Sequence, residues 1–280
     1  MELAYGGTGM APLGDGDHVC WVVDDPASYS AVAGTLIAGG QARGQQVVVF
    51  APGGRTAPGP ASTPSRPGST PPPPGGVATA DPYAAFFGYG PLEPGIMLRA
   101  LRELAGRARA GGYGGLRVIS DMDWLLPGSP TPEEVAGLEI IVDRAARELG
   151  ATVVCAYRRS SFDPVMVLGA LPVHPIRWGN DDGPQFDLRA DGPSGWRLSG
   201  EIDVAVIDTF AAAFTAAASL GDCLVDVSGL GFVDVAGLRA MSQAARRSHA
   251  DIQLRGAPVA LHRLWQLLGP ADRAPELRLA

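Results

Sequence analysis

The chain has 280 residues, which suits two domains at about 150 residues each. With 46% hydrophobic and 18% charged residues it has ample core material, which excludes a disordered chain, and a net charge of −7 argues against a general nucleic-acid binder. All 22 basic residues are arginine, and without lysine there is no Walker A lysine, no Schiff-base lysine and no Ser-Lys dyad.

The N-terminus, MELAYGGTGM, has neither the basic start nor the apolar run of a secretory signal. No apolar run reaches the roughly 18 residues of a membrane span. A cytoplasmic protein without membrane contact is expected. His18 to Val23 is nearly continuous in apolar residues, the pattern of a strand buried on both faces. Asp25-Pro26 opens a helix, with Tyr29, Val32, Leu36 and Ile37 on one face and Gly44 at its end. Val47 to Phe50 is the next strand, completing a parallel βαβ unit.

Pro52 to Gly76 contains the consecutive prolines Pro71 to Pro74 among Gly, Ser, Thr and Ala. Such a composition cannot bury a core. It reads as an insertion loop, bounded at 52–80, because one βαβ unit is too small to stand alone. A helix at Pro94 to Ala110 faces Met97, Leu98, Leu101 and Leu104 inward, and a strand follows at Leu116 to Ser120. Thr131-Pro132-Glu133-Glu134 forms a capping box for a helix ending at Gly150. Ala151 to Tyr157 is a strand, and Asp163-Pro164 caps a short helix to Leu171.

Pro175 to Gln185 is polar and irregular, so a linker is placed at 176–185, between a first domain at 14–175 and a second at 186–280. The second domain reads as strands at Phe186 to Arg189 and Gly195 to Ser199, then helix Ile207 to Ser219 and strand Cys223 to Val227. After a tight loop come helix Ala236 to Ser248, strand Asp251 to Arg255, helix Val259 to Leu268 and a last strand at Leu277 to Leu279. Both domains are α/β, the first mostly parallel and the second small, with helices on one face.

Candidate chemistry is thin. There is no H-E-x-x-H, G-x-S-x-G or P-loop. The glycines Gly7, Gly9, Gly14 and Gly16 precede a strand instead of following one, so they lack the context of a phosphate cradle. Cys20, Cys155 and Cys223 form no C-x-x-C and each lies in an apolar run, where cysteine acts as a small hydrophobe. His18 and Cys20 share a strand face, and an adjacent strand carrying Cys155 would gather the three into a metal site. Ordinary core packing is the expectation instead, with no metal and no cofactor. Asp123, Trp124, Tyr157 and Arg158 follow or end strands, where parallel α/β sheets bind ligands. Trp124 and Tyr157 would wall such a pocket, with Asp123 and Arg158 at its edge. The alternative, aromatic rings simply covering the core, weighs equally. In the second domain, a strand runs through a tight loop into the helix start at Asp234-Val235-Ala236-Gly237-Leu238. Backbone N–H groups there would suit an anion, or Asp234 caps the helix.

Leu198-x-Gly200-Glu201-Ile202-Asp203 and the stretch from Asp226 to Leu238 make the second domain resemble a STAS domain, the fold of anti-sigma-factor antagonists. The resemblance covers Phe186 to Ala280 and implies a partner that is an anti-sigma factor or histidine-kinase-like serine kinase. It also implies a partner surface at Asp203, Asp234, Val235, Ala236, Gly237 and Leu238. In that family a serine before the glycine is phosphorylated, adding charge and bulk that block the partner. Here Val235 and Ala236 fill both serine positions, so that switch cannot operate at this site.

Gly16-Asp17-His18-Val19-Cys20-Trp21, then Gly115-Leu116-Arg117-Val118 with Met122-Asp123-Trp124, and Val154-Cys155-Ala156-Tyr157-Arg158-Arg159 with His174-Pro175, make the first domain resemble a MEDS sensory domain. The resemblance runs from Gly14 to His174, interrupted by the proline-rich insertion. It implies a RecA-like fold that has lost its phosphate-binding loop and senses small ligands, hydrocarbon derivatives among them. His18, Cys20, Trp21, Asp123, Trp124, Tyr157 and Arg158 are the candidate ligand residues. The pairing of the two domains resembles actinobacterial regulators. A signal-transduction regulator that binds a protein partner is expected, and not an enzyme. A degenerate nucleotide- or small-molecule-processing enzyme, and a scaffold in a larger STAS assembly, are the competing readings.

Overall fold

The computed structural model of the chain describes residues 13–51, 62–64, 77–80, 82, 94–179, 184–192, 194–269 and 272–280. The prolines 71–74, Gly7 and Gly9, and residues 180–183 of the expected linker lie outside these.

The first sheet is built from β1 (His18–Val23), α1 (Pro26–Ala42), β2 (Gln45–Phe50), β3 (Ser62–Pro64), β4 (Val77–Ala80), α2 (Pro94–Ala110), β5 (Gly115–Asp121), α3 (Pro132–Leu149), β6 (Thr152–Arg158), α4 (Pro164–Ala170) and β7 (Ile176–Trp178). Its seven strands lie in the order β3-β4-β2-β5-β6-β1-β7, and every pairing is parallel. Parallel strands are buried on both faces, and β1 and β2 are buried at every residue. On one face Val19, Trp21, Val23, Val47, Val49, Ile119, Val154 and Ala156 pack under Tyr29, Ala33, Leu36 and Ile37 of α1.

The local signals act as the sequence suggests. The Asp25 carboxylate accepts the N–H groups of Ala27 and Ser28 at 2.8 and 3.0 Å, opening α1. The capping box is complete: Thr131 Oγ1 accepts the Glu134 N–H at 3.2 Å while Glu134 Oε2 accepts the Thr131 N–H at 2.7 Å. Three strands depart from the expectation. Ser62–Pro64, placed in the insertion loop, is β3 and pairs with β4. Val77–Ala80, placed in the insertion loop, is β4 and pairs with β2, because Val77 and Ala78 are small apolar residues that fit between sheet neighbours. Ile176–Trp178, placed in the linker, is β7 and pairs with β1, with Trp178 in the core under α1. All three are short runs of three or four residues, whose pairing composition does not reveal.

The second sheet holds β8 (Phe186–Ala190), β9 (Gly195–Ile202), β10 (Cys223–Val233), β11 (Ile252–Arg255) and β12 (Leu277–Leu279), with α5 (Ile207–Ala218), α6 (Val235–Ser248) and α7 (Val259–Leu267). The order is β12-β11-β10-β9-β8, with β8 and β9 antiparallel and the other pairs parallel. Phe186, Leu188, Trp196 and Leu198 of the antiparallel pair meet Phe210, Phe214, Leu238 and Met241 of α5 and α6 in one core. The expected tight loop after Val227 is a continuation of β10 to Val233, irregular between Asp226 and Gly229 and again between Leu230 and Phe232. Glycine makes that continuation possible, since a Cβ on Gly229 would lie 2.7 Å from the Ser199 side chain.

Candidate functional site

The carboxyl ends of β5 and β6 lie side by side, with Asp121 paired to Ala156. Beyond β5 the chain turns into a 3-10 helix, Met122–Gly128, and Asp121 Oδ1 accepts the Asp123 N–H at 3.2 Å. Arg158, the last residue of β6, donates from Nη1 to Asp123 Oδ2 at 2.7 Å and from Nη2 to Asp121 Oδ2 at 2.5 Å. The Ser161 hydroxyl donates to the same Asp123 oxygen at 3.2 Å. The guanidinium carbon stands 4.9 Å from the centroid of the Tyr29 ring, and Tyr29 stacks on Trp21 at 5.3 Å. One arginine is thus fixed by two carboxylates and an aromatic face, which makes a clamp holding two strand ends together.

The expected pocket therefore regroups. Asp123 and Arg158 meet as an ion pair, not as two edges of a cavity. Trp124 is buried and its indole N–H donates to Ser120 Oγ at 3.1 Å. Tyr157 is fully buried, edge-on to Phe162 at 5.1 Å. Trp21 belongs to the layer under α1, because the pleat sends it to the face opposite His18 and Cys20. Tyr29 was missed, although its place on the inner face of the first helix was readable.

The opposite face of the sheet carries a second group. β1 pairs with β6 so that Cys20 lies beside Cys155, and His18 lies two residues earlier on the same face. His18 Nε2 is 3.6 Å from Cys155 Sγ, and His18 Nδ1 faces Asp143 Oδ1 on α3 at 3.7 Å. The other Asp143 oxygen pairs with Arg147 one helical turn on. Burial pushes the Asp143 carboxyl up, but the hydrogen-bonding and charge of His18 and Arg147 outweigh it and hold the group below its ordinary range. His174 Nε2 lies 3.3 Å from Glu139 Oε2, and His174 Nδ1 lies 2.7 Å from the Ala170 carbonyl. His18, Glu139, Cys155 and His174 are all buried. Glu139, Asp143 and His174 were not singled out as site residues. Their signal was present, since each is a titratable residue inside an apolar run (AGLEII, IIVDRA, LPVHPI).

In the second sheet, Asp234 caps α6, its Oδ1 accepting the Gly237 N–H at 2.8 Å. The capping reading of Asp234 holds, and the anion reading loses that donor. Gly237 and Leu238 are buried, so neither presents a side chain to a partner. Gly237 is needed for close packing, because a Cβ there would lie 2.8 Å from Ile202 Cγ2 and 2.9 Å from Val233 Cγ2. Asp203, Asp234 and Ala236 are half-buried. Asp203 Oδ1 accepts the Ala205 N–H at 2.8 Å, and the Asp234 N–H donates to the Ile202 carbonyl at 3.1 Å, which holds the β9 end beside the α6 start. Around them Val204, Phe232 and Val235 are exposed at 76%, 51% and 38%, an apolar group that sequence reasoning named only at Val235.

Two family models match the chain. The MEDS model, described as the MEthanogen/methylotroph, DcmR Sensory domain, matches residues 17–175, more than half of the chain. A second model, described as a Mlab, STAS domain, matches residues 189–277. No curated protein matches the chain. Among the described residues, no helix is long and apolar enough to cross a membrane.

Proposed function

Because the chain belongs to the MEDS family of sensory domains and carries a STAS domain after it, we propose that it is a signalling regulator whose STAS domain binds an anti-sigma factor or histidine-kinase-like serine kinase. The observation that carries this reading is the surface at the start of α6. Val204, Phe232 and Val235 are exposed apolar residues just after β9, near the end of β10 and at the start of α6, and β10 pairs with β9 there through Phe232 with Glu201 and Val233 with Ile202. Exposed apolar groups rimmed by polar residues mark protein interaction sites. The position that relatives phosphorylate is Ala236, so regulation comes from the sensory domain or from partner abundance rather than from a phosphate at this helix.

The reading is of a binding protein and not an enzyme. Arg158, the cation of the expected pocket, is engaged by two carboxylates. The chain also has no lysine with which to hold a nucleotide phosphate.

The test uses the full chain against purified ATP-binding anti-sigma factors from the same genome, by isothermal titration. At least one should bind, and Ala236→Asp should weaken it at least tenfold by placing a charge and added bulk in the contact. Absence of binding to any of them, or binding indifferent to both Ala236→Asp and Phe232→Asp, overturns the proposal.

A further inference from the structure

We propose that Cys20 and Cys155 are a redox-sensitive thiol pair, in which His18 draws the proton from Cys155, a hydroperoxide oxidises that thiolate, and Cys20 closes the product into a disulfide. The inference concerns the first sheet and α3 beside it, and it is independent of the signalling reading.

The first support is register. Cys20 of β1 and Cys155 of β6 are direct partners in the parallel pairing, and both are reduced. Neighbouring strands lie about 4.7–4.9 Å apart, inside the Cα separation of about 4.4–6.8 Å that a disulfide spans. Registered partners point to the same face of a sheet, so the two sulfurs lie on one side of it.

The second support is a place for the thiol proton. His18 Nε2 lies 3.6 Å from Cys155 Sγ, within reach of a hydrogen bond to sulfur, and His18 Nδ1 faces Asp143 Oδ1 at 3.7 Å. A carboxylate on the Nδ1 side favours the tautomer protonated there, which leaves Nε2 to accept the thiol proton. Arg147 pairs with the other Asp143 oxygen and fixes the carboxylate in place. A nucleophile, a base beside it and a third group that orients the base is the arrangement that activates a thiol.

The third support is burial, which selects the oxidant. His18, Cys20 and Cys155 are all buried. Bulky or charged reagents are kept out, whereas hydrogen peroxide is small and neutral and enters through local opening.

The chemistry has two steps. The Cys155 proton passes to His18 Nε2, and the thiolate attacks one peroxide oxygen. The S–O bond forms as the O–O bond breaks, and the leaving oxygen takes the proton from His18 and departs as water or an alcohol. Sulfur is oxidised by two electrons and the peroxide is reduced by two. The Cys20 sulfur then attacks the Cys155 sulfenic sulfur. The S–S bond forms, the S–O bond breaks, and the hydroxyl leaves as water with the Cys20 proton.

The experiment treats the full, folded chain with hydrogen peroxide, alkylates the remaining thiols in denaturant and reads the cysteines by peptide mass spectrometry. A peptide pair linked through Cys20 and Cys155 is expected while circular dichroism stays native, and dithiothreitol should reverse it. Cys20→Ser should stop at a Cys155 sulfenic acid that dimedone traps. His18→Gln should slow the oxidation at least tenfold, and Cys223→Ser should leave its rate unchanged. A folded wild-type chain that keeps both thiols reduced under excess peroxide overturns the proposal. So does a wild-type sulfenic acid that Cys20 never closes, or a linked pair that forms as fast in His18→Gln as in the wild type. Should His18→Gln fail to fold, the wild-type chain decides: linkage faster in the folded chain than in urea upholds the pair, and slower linkage rejects it.

Discussion

His18 Nε2 lies 3.6 Å from the sulfur of Cys155 across 137 residues of chain. Parallel pairing of β1 with β6 produces the contact, since the register sets Cys155 beside Cys20 and the pleat puts His18 on the same face. The same pleat turns Trp21 the other way, onto Tyr29 at 5.3 Å. A six-residue strand that reads as uniformly apolar therefore has two different faces. One carries ligand-type atoms, and the other carries stacked rings beneath α1.

The Arg158 clamp should show itself when one side is removed. Arg158→Met leaves Asp121, only 5% exposed, without that cation, and breaking such a pair costs about 3 kcal/mol. Urea denaturation should show the loss. Adding Asp121→Asn to Arg158→Met should recover part of it, because the uncompensated charge is then gone. A double variant no more stable than Arg158→Met would place the cost elsewhere, in the cation–π contact with Tyr29.

Much of this was legible in the sequence because local chemistry was decisive. Asp25, the Thr131–Glu134 box and Asp234 all cap the helices that they precede. The apolar runs became strands. What composition did not reveal depends on which strands become neighbours. β4 and β7 are short, and they are strands only because β2 and β1 lie beside them. The grouping of the candidate pocket residues was hidden for the same reason. Asp123 and Arg158 come from different strand ends, and whether they line a cavity or bond to each other depends on their separation in space. Cys155 was named as a conditional partner of His18 and Cys20. The parallel register of β1 and β6 meets that condition for His18, which comes within 3.6 Å of the Cys155 sulfur.

Gly237→Ala should destabilise the chain although alanine favours helices. The added Cβ would meet Ile202 Cγ2 at 2.8 Å and Val233 Cγ2 at 2.9 Å, both on β-branched side chains with little freedom to move. Overpacking of this kind costs about 1–3 kcal/mol, more than the roughly 1 kcal/mol that alanine gains over glycine inside a helix. Urea denaturation should show a net loss. A stabilised variant would mean that β9 and α6 separate more easily than their packing suggests.

Folding and binding should separate at the start of α6. Asp234 supplies the helix cap through the Gly237 N–H at 2.8 Å, so Asp234→Ala should cost about 1 kcal/mol of stability, and Asp234→Ser should cost little. Phe232 is 51% exposed and contributes far less to the core, so Phe232→Ser should leave the urea midpoint nearly unchanged. In titration against the partner the order should reverse. Phe232→Ser removes the largest exposed ring of the apolar group and should weaken binding at least tenfold, while Asp234→Ser, which keeps the cap, should weaken it far less. If both variants track stability alone, the exposed ring has no part in binding and the docking surface lies elsewhere on the domain.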